Sequence, residues 1–216
     1  RTGAAVVAVM YGGKVLNCWN KVDITNGDGE VGGVVGFVSG VSAFDNWIEG
    51  CFNTGNVSAA TNGDCGVGGI LGICWAVPNT INLTVRNCYN TGIITATNNL
   101  AAGGIVGRVW EGATTVTIEN CYDVGEVRCT DGNAIMGIGP LDTVVNCYYD
   151  SETSGKADGQ AEGYTTAQMQ SWAAAYALNG QQMEGAWTYI PGEYPRFGEL
   201  PRPDDWSVVG QGVLDG

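Results

Sequence analysis

The segment VRNCYNTGIITA (residues 85–96) indicates a repeat architecture, because close variants of it recur along the chain. The variants are IEGCFNTGNVSA from Ile48, IENCYDVGEVRC from Ile118 and a fainter copy, VVNCYYDSETSG, from Val144. Cys18 belongs to the same series, and its five cysteines follow one another at intervals of 26 to 37 residues. Self-similarity at such a period is typical of repeat proteins.

Each copy begins with an apolar segment of the form GGIVGRV. Such segments start at Gly32, Gly68 and Gly103, and degenerate versions start at Ala4 and Ala134. Each copy then reads as three short segments rich in β-branched residues, separated by turn residues and without a helix between them. This pattern predicts an all-β fold, a β-solenoid (β-helix-like) of about five coils stacked about 4.8 Å apart.

Equivalent residues of successive coils stack in columns, so we expect two structural ladders. Cysteine is small and usually buried when free, whereas Asn tolerates the left-handed conformation of a bend and can form amide ladders. Gly50 replaces Asn once and tolerates the same conformation. The predicted ladders are Cys18, Cys51, Cys88, Cys121 and Cys147, and Asn17, Asn87, Asn120 and Asn146. Disulfides along the cysteine column are the alternative, which parallel Cβ vectors disfavour.

A third column is aromatic, and the sequence does not determine whether its rings point into the core or outward. It consists of Trp19, Phe52, Tyr89, Tyr122 and Tyr148. Simple strand alternation would place the rings inside and the cysteines outside, whereas a bend at the asparagine would reset the count.

Composition excludes several kinds of function. The 216 residues include no histidine, which removes Ser-His-Asp and Cys-His catalysis and His-ligated metal sites. A net charge of −13 disfavours nucleic acid and anionic membranes as partners. No segment reaches the roughly 18 apolar residues of a membrane helix. The turn-like segments NGDGE (26–30) and TDGN (130–133) lack the full spacing of a calcium loop. We therefore expect no catalytic residues, no metal site and no cofactor.

The character of the sequence changes near Ser151, so residues 1–150 form the predicted solenoid domain. TTAQMQSWAAAYALNG predicts one helix, begun by a capping box of Thr165 and Gln168 and ended by Gly180. A short β-hairpin follows in AWTYIPGEYPRF. We expect residues 151–198 to form a cap on the last coil. Residues 199–216 read as a linker toward other domains of a larger chain, of which this chain would be an excised piece.

The pattern GGIVG…I-x-NCY-x-x-G-x-V, at residues 103–127 and again at 68–94, resembles the GLUG motif. That repeat belongs to bacterial surface proteins, including adhesin-like proteins and segments of IgA-specific metallopeptidases. The resemblance covers about residues 1–150. It implies a β-solenoid-like segment that is extracellular, either secreted or at the cell surface. It implies no catalytic residues, because the peptidases carry their zinc site elsewhere.

Four aromatic residues are the candidate ligand-binding residues. Trp75, Trp110 and Tyr11 share one aligned position after the first strand of a copy, and Trp47 lies in the next loop. Exposed flat rings can hold sugars by stacking. The alternative is that the rings pack on neighbouring loops, which the large area of such side chains favours.

These observations predict a non-catalytic repeat module that adheres to glycans or host surface proteins, or that acts as a spacer. Two alternatives stay open: a polysaccharide-active solenoid enzyme and an accessory segment of a surface protease. A glycoside hydrolase needs a pair of clustered carboxylates. Here Glu49 and Glu119 align on either side of Arg86, which predicts a cross-strand charge ladder instead.

Overall fold

The computed structural model describes residues 2–27, 29–39, 45–60, 65–75, 81–98, 101–110, 114–140 and 143–198. This part of the chain consists mainly of short parallel strands, so the predicted all-β solenoid is confirmed. Each copy contributes up to five strands, and each strand pairs with the equivalent strand of the next copy. Five parallel sheets, named A to E in the order in which the chain enters them, surround the core.

The strands follow the repeat. The first copy contains β1 (Gly3–Ala4), β2 (Val7–Met10), β3 (Gly13–Leu16), β4 (Trp19–Asn20) and β5 (Ile24–Asn26). The second contains β6 (Val31–Gly32), β7 (Val35–Ser39), β8 (Asp45–Glu49), β9 (Phe52–Asn53) and β10 (Val57–Ala59). The third contains β11 (Gly66–Gly68), β12 (Leu71–Trp75), β13 (Ile81–Arg86), β14 (Tyr89–Asn90) and β15 (Ile94–Ala96). The fourth contains β16 (Ala101–Gly103), β17 (Val106–Val109), β18 (Thr114–Glu119), β19 (Tyr122–Asp123) and β20 (Val127–Arg128).

The last copy is less complete. It contains β21 (Asp131–Asn133), β22 (Met136–Ile138), β23 (Thr143–Val145) and β24 (Tyr148–Asp150), and β25 (Glu162–Tyr164) adds a sixth strand to sheet D. Sheet E has four strands, because the last copy contributes none among its described residues. The predicted count of five coils is therefore corrected to about three regular turns, with an atypical copy at each end.

A sharp bend at the asparagine position joins sheet C to sheet D. Asn17, Asn87, Asn120 and Asn146 have φ values of 50° to 54°, and Gly50 has a φ of 63°. The bend resets the alternation of side chains, so the cysteine after it points into the core and the next aromatic ring points outward. This answers the question that simple strand alternation leaves open.

The core has two parts inside the coil. The larger part lies between sheets B and C and includes the cysteine column; Leu71 of sheet B and Val85 of sheet C are fully buried there. The smaller part lies between sheets A and E, around Val67 and Ile94. Burial of such apolar side chains drives the stacking, because each coil alone would leave its apolar edge in water.

The Gly-Gly pairs lie where the chain approaches itself too closely for a side chain. A Cβ on Gly68 would lie 2.0 Å from the carbonyl oxygen of Leu71. At the paired position the first copy has Ala4 and the last copy has Asn133. The apolar segment of the last copy therefore begins at Asn133, one residue before the predicted start at Ala134. Only the end copies carry a side chain at this position.

The C-terminal segment, residues 151–198, contains two helices where one was predicted. These are α1 (Thr166–Met169) and α2 (Trp172–Leu178), and the capping box of Thr165 and Gln168 is present. Ser171 separates them, because its side chain accepts a hydrogen bond from the amide of Ala174 and so begins a new helix. The strands β26 (Trp187–Thr188) and β27 (Arg196–Phe197) form the predicted hairpin. Neither described helix is long and apolar enough to cross a membrane.

After β25, the C-terminal segment packs along the side of the solenoid, on the outer face of sheet D. Before β25 it contacts the last copy, where Asp158 accepts hydrogen bonds from the amides of Ile135 and Met136. The ring of Trp187 lies 5.2 Å from that of Tyr122 in the fourth copy, between ring centroids. The ring of Phe197 lies 5.5 Å from Tyr89 and 6.3 Å from Phe52, in the third and second copies. The predicted linker, residues 199–216, lies outside the described residues.

Candidate functional site

The aromatic column on the outer face of sheet D is the framework of the candidate site. Phe52 and Tyr89 stack with their ring centroids 4.9 Å apart and their planes 4° from parallel. Tyr89 and Tyr122 stack at 5.2 Å and 5°. Trp19 stacks on Phe52 at the other end, at 5.9 Å and 9°. The parallel in-register pairing of sheet D imposes this arrangement, since it places one ring of each copy directly over the next.

An amide ladder that the sequence reading missed runs beside the rings. It is formed by the residue after each aromatic position: Asn20 donates to Asn53 Oδ1 at 2.8 Å, and Asn53 donates to Asn90 Oδ1 at 2.7 Å. Each Asn also donates to the carbonyl oxygen two residues on, as Asn53 does to Gly55 at 2.7 Å. The sequence contains a pattern that predicts this ladder, because CWN, CFN, CYN and CYD all have an amide or a carboxyl group directly after the aromatic residue.

The ladder ends at a buried carboxyl group. Asn90 donates to Asp123 Oδ1 at 2.7 Å, and the amide of Gly125 also donates to that oxygen. Asp123 is fully buried, and its Oδ2 has no hydrogen-bond partner in the described part of the chain. Burial raises the pKa of Asp123 well above the ordinary range of a carboxyl group, and the bond from Asn90 only partly opposes this shift.

A groove of about 540 Å³ lies between this face of sheet D and the C-terminal segment. Its floor has an aromatic row and a polar row, both parallel to the solenoid axis. The floor residues are Phe52, Tyr89 and Tyr122 in the aromatic row and Lys21, Thr54 and Thr91 in the polar row. A groove of this size can hold a small ligand.

Hydrogen bonds hold the wall of the groove in place. The hydroxyl groups of Tyr194 and Thr166 donate to Oδ2 of the buried Asp150, at 2.8 and 2.7 Å. The hydroxyl group of Tyr122 donates to the carbonyl oxygen of Pro195 at 2.7 Å. Burial, then the bond to Asp150, raises the pKa of Tyr194 to about 12, so this phenol stays a donor near neutral pH.

The rim of the groove carries charges of both signs. Arg196 forms an ion pair with Glu193, with 2.6 Å between Nη2 and Oε2. Burial raises the pKa of Tyr89, although the positive charge of Arg196 opposes this shift, so the Tyr89 hydroxyl group also stays protonated near neutral pH. The groove therefore offers neutral hydroxyl groups and a few charges to a ligand.

The candidate ligand-binding aromatics lie elsewhere and do not form one site. Trp75 and Trp110 are neighbours, with ring centroids 5.7 Å apart, and Trp75 is 43% exposed. Tyr11 is exposed too, but the second copy has Ser39 at that position, which separates Tyr11 from the tryptophans.

Trp47 lies in strand β8 on the outer face of sheet C, where a loop was predicted. The charged groups of Lys14 and Arg86 lie 5.3 and 4.8 Å from the centre of its ring. Arg86 also pairs with Glu49 at 2.9 Å and, more distantly, with Glu119 at 3.8 Å. The predicted charge ladder is present, and Trp47 packs against it.

The cysteine column lies inside the coil. Its five thiols are free, and all but the half-buried Cys18 are buried. Each thiol donates to the carbonyl oxygen two residues before it, as Cys88 does to Arg86 at 3.1 Å. In the asparagine column, Asn146 donates to Asn120 at 3.0 Å. The continuous amide ladder lies three residues further along each copy.

Comparison with known proteins adds evidence on the fold. A crystal structure of a protein from Bacteroides ovatus, named a putative immunoglobulin A1 protease, matches with a TM-score of 0.61 at 19% identity. The match covers 86% of this chain and 57% of that chain. No family model matches the chain. No curated protein matches it either. The structural match supports the solenoid architecture.

Proposed function

We propose that this chain is a non-catalytic β-solenoid segment of a bacterial protein that is secreted or exposed at the cell surface. It acts as an adhesive module toward glycans or host surface proteins, or as a spacer. In this proposal the repeats are GLUG-type, residues 1–150 are the solenoid, residues 151–198 are its cap and residues 199–216 lead to other domains. The fold shared with the Bacteroides protein supports a surface repeat module.

The observation that carries the adhesive role is the groove on sheet D. A spacer needs only stacked coils, whereas this chain positions aromatic and hydroxyl side chains around a cavity of about 540 Å³. Hydrogen bonds to a buried carboxylate hold the wall of that cavity, so a ligand would meet a preformed surface.

The test is to incubate the purified chain with arrays of host glycans and extracellular-matrix proteins. Binding that saturates, and that an excess of unlabelled chain displaces, supports the adhesive role. The absence of binding at high micromolar concentration reduces the proposal to a spacer.

An accessory role in a surface protease is the second candidate, favoured by the name of the Bacteroides protein. It predicts that the chain binds immunoglobulin A1 without cleaving it. Surface plasmon resonance with immobilised immunoglobulin A1 measures the binding, and gel electrophoresis after prolonged incubation measures cleavage. Release of reducing sugars from polysaccharides would instead support the third alternative, an enzyme.

A further inference from the structure

The floor of the groove repeats in two rows with the spacing of the coils. Thr54 and Thr91 are equivalent residues, because their amides donate to the carbonyl oxygens of Asn20 and Asn53, each at 2.9 Å. Lys21 occupies the same position of the first copy, next to Asn20. A polar group therefore recurs every 4.8 Å or so along the groove, beside an aromatic ring at the same interval.

The rings line the floor with their edges. Phe52, Tyr89 and Tyr122 stack nearly parallel to one another, so each covers the faces of its neighbours. The edge of an aromatic ring is electropositive and attracts oxygen atoms. A ligand on this floor is therefore held by its oxygens, at the ring edges and at the threonine hydroxyl groups, more than by a purely apolar surface.

The opposite wall has the same mixed character. Gln170 offers an amide that both donates and accepts, and the ion pair of Glu193 and Arg196 adds one charge of each sign. Lys21 is the further cation that lines the groove, in a chain whose net charge is −13. A strongly cationic or purely apolar ligand does not match these groups. A neutral or weakly acidic molecule that is rich in hydroxyl groups does.

The geometry points to a glycan-binding site in this groove, in which a short oligosaccharide lies parallel to the solenoid axis across the second and third copies. This inference rests on the proposed adhesive function and assigns it a place and a ligand class. In this pose Thr91 and Tyr89 donate hydrogen bonds to sugar oxygens at the centre of the groove. Lys21 and Arg196 flank it and can bind a carboxylate on an acidic sugar.

The experiment uses an array of mammalian and microbial glycans, followed by isothermal titration with the glycan that gives the strongest signal. Thr91→Val and Tyr89→Phe each remove one hydroxyl group and keep the shape of the side chain. We expect each variant to weaken binding about tenfold, the usual effect of one hydrogen bond to a ligand. Lys21→Met is a third variant, on an exposed side chain, in case either of the others does not fold.

Two matched controls lie outside the groove. Thr95→Val removes a half-buried threonine hydroxyl group from sheet E of the same copy. Trp75→Ala removes the exposed ring of the other aromatic pair. Both controls should bind the glycan like the native chain, and circular dichroism should show the same melting profile for every variant that is compared.

The results distinguish a wrong site, a wrong ligand class and a wrong adhesive function. Glycan binding that Trp75→Ala abolishes and the groove variants leave intact overturns this site but keeps the adhesive function. Binding of matrix proteins, without binding of any glycan, overturns the ligand class. The absence of any binding overturns the site together with the adhesive half of the proposed function.

Discussion

The first and third copies of the repeat have the same plan but differ in how completely their residues are enclosed. In the third copy, which has a coil on each side, Val85 and Cys88 are fully buried. In the first copy, the equivalent residues are less enclosed: Val15 is 8% exposed and Cys18 is half-buried. A column residue is therefore stabilised by two neighbouring coils in the interior and by one at the end, so the same substitution should cost more in the third copy.

The largest difference between interior and end copies is expected when one methyl group is added at the Gly-Gly position. Gly68→Ala places a Cβ about 2.0 Å from the carbonyl oxygen of Leu71 and 2.7 Å from the amide nitrogen of Gly107, so the third copy must distort and shift against the fourth. We expect the free energy of unfolding in urea to fall by about 3 kcal/mol. The matched control, Ala4→Gly at the paired position of the first copy, should cost at most about 1 kcal/mol of backbone entropy. Equal effects would show that interior coils relax as easily as the end.

The second comparison is between the end of the amide ladder and its interior. Asp123→Asn continues the ladder, because the new amide can donate to the carbonyl oxygen of Gly125, as Asn53 does to that of Gly55. It also removes a carboxyl group that is costly to ionise when buried. We expect stability at neutral pH to rise by about 1 to 3 kcal/mol. The exposed Asp131→Asn is the control. A loss of stability would contradict this expectation, because it would mean that Oδ2 of Asp123 is also stabilised by a partner.

The pH dependence of that gain follows from the raised pKa of Asp123. Between the pKa of about 4 in the unfolded chain and the higher pKa in the folded chain, the folded state binds more protons. The native chain therefore loses stability at this residue as the pH rises through that interval. The advantage of Asp123→Asn should accordingly shrink as the pH is lowered toward 4, and urea titrations at several pH values measure it. An advantage that does not change with pH would contradict the raised pKa.

The smallest changes in stability are expected for Cys→Ser substitutions at two positions of the cysteine column. Cys88→Ser buries a hydroxyl group in the third copy, where the longer thiol contacts the carbonyl oxygens of Arg86 and Ile48 at 3.1 and 3.6 Å. We expect a loss of about 1 kcal/mol. Cys18→Ser, in the half-buried end position, should change stability by less than about 0.5 kcal/mol. Thermal melting followed by circular dichroism ranks the two, and the reverse order would contradict the comparison.

Much of the solenoid was predictable because each structural position occurs in several copies, so that the same residue pattern is seen more than once. The spacing of Gly-Gly and Asn-Cys-aromatic gave the strands, and the exchange of Asn for Gly50 correctly indicated a left-handed bend. The number of regular turns was overestimated, because sequence similarity persists in end copies whose strands are incomplete or unpaired on one side.

The candidate site was harder to predict because it depends on contacts between distant parts of the chain. Nothing in the repeat indicates that Trp187 and Phe197 pack on Tyr89, since the C-terminal segment has no counterpart in the other copies. The aligned aromatic positions therefore indicated Trp75, Trp110, Tyr11 and Trp47, none of which lines the groove between sheet D and the C-terminal segment. The amide ladder could have been found from the polar residue that follows each aromatic position.

The position of the C-terminal segment also bears on how the molecule unfolds. A simple solenoid has contacts only between adjacent coils, so its coils can open one at a time from either end. Here Phe197 contacts Phe52 of the second copy, while Tyr194 is tied to Asp150 of the last copy. The last copies cannot open without also breaking contacts near the start of the stack. The two ends of the stack should therefore open differently. The first copy should open alone at low free energy, and the second to fifth copies should open as one cooperative unit.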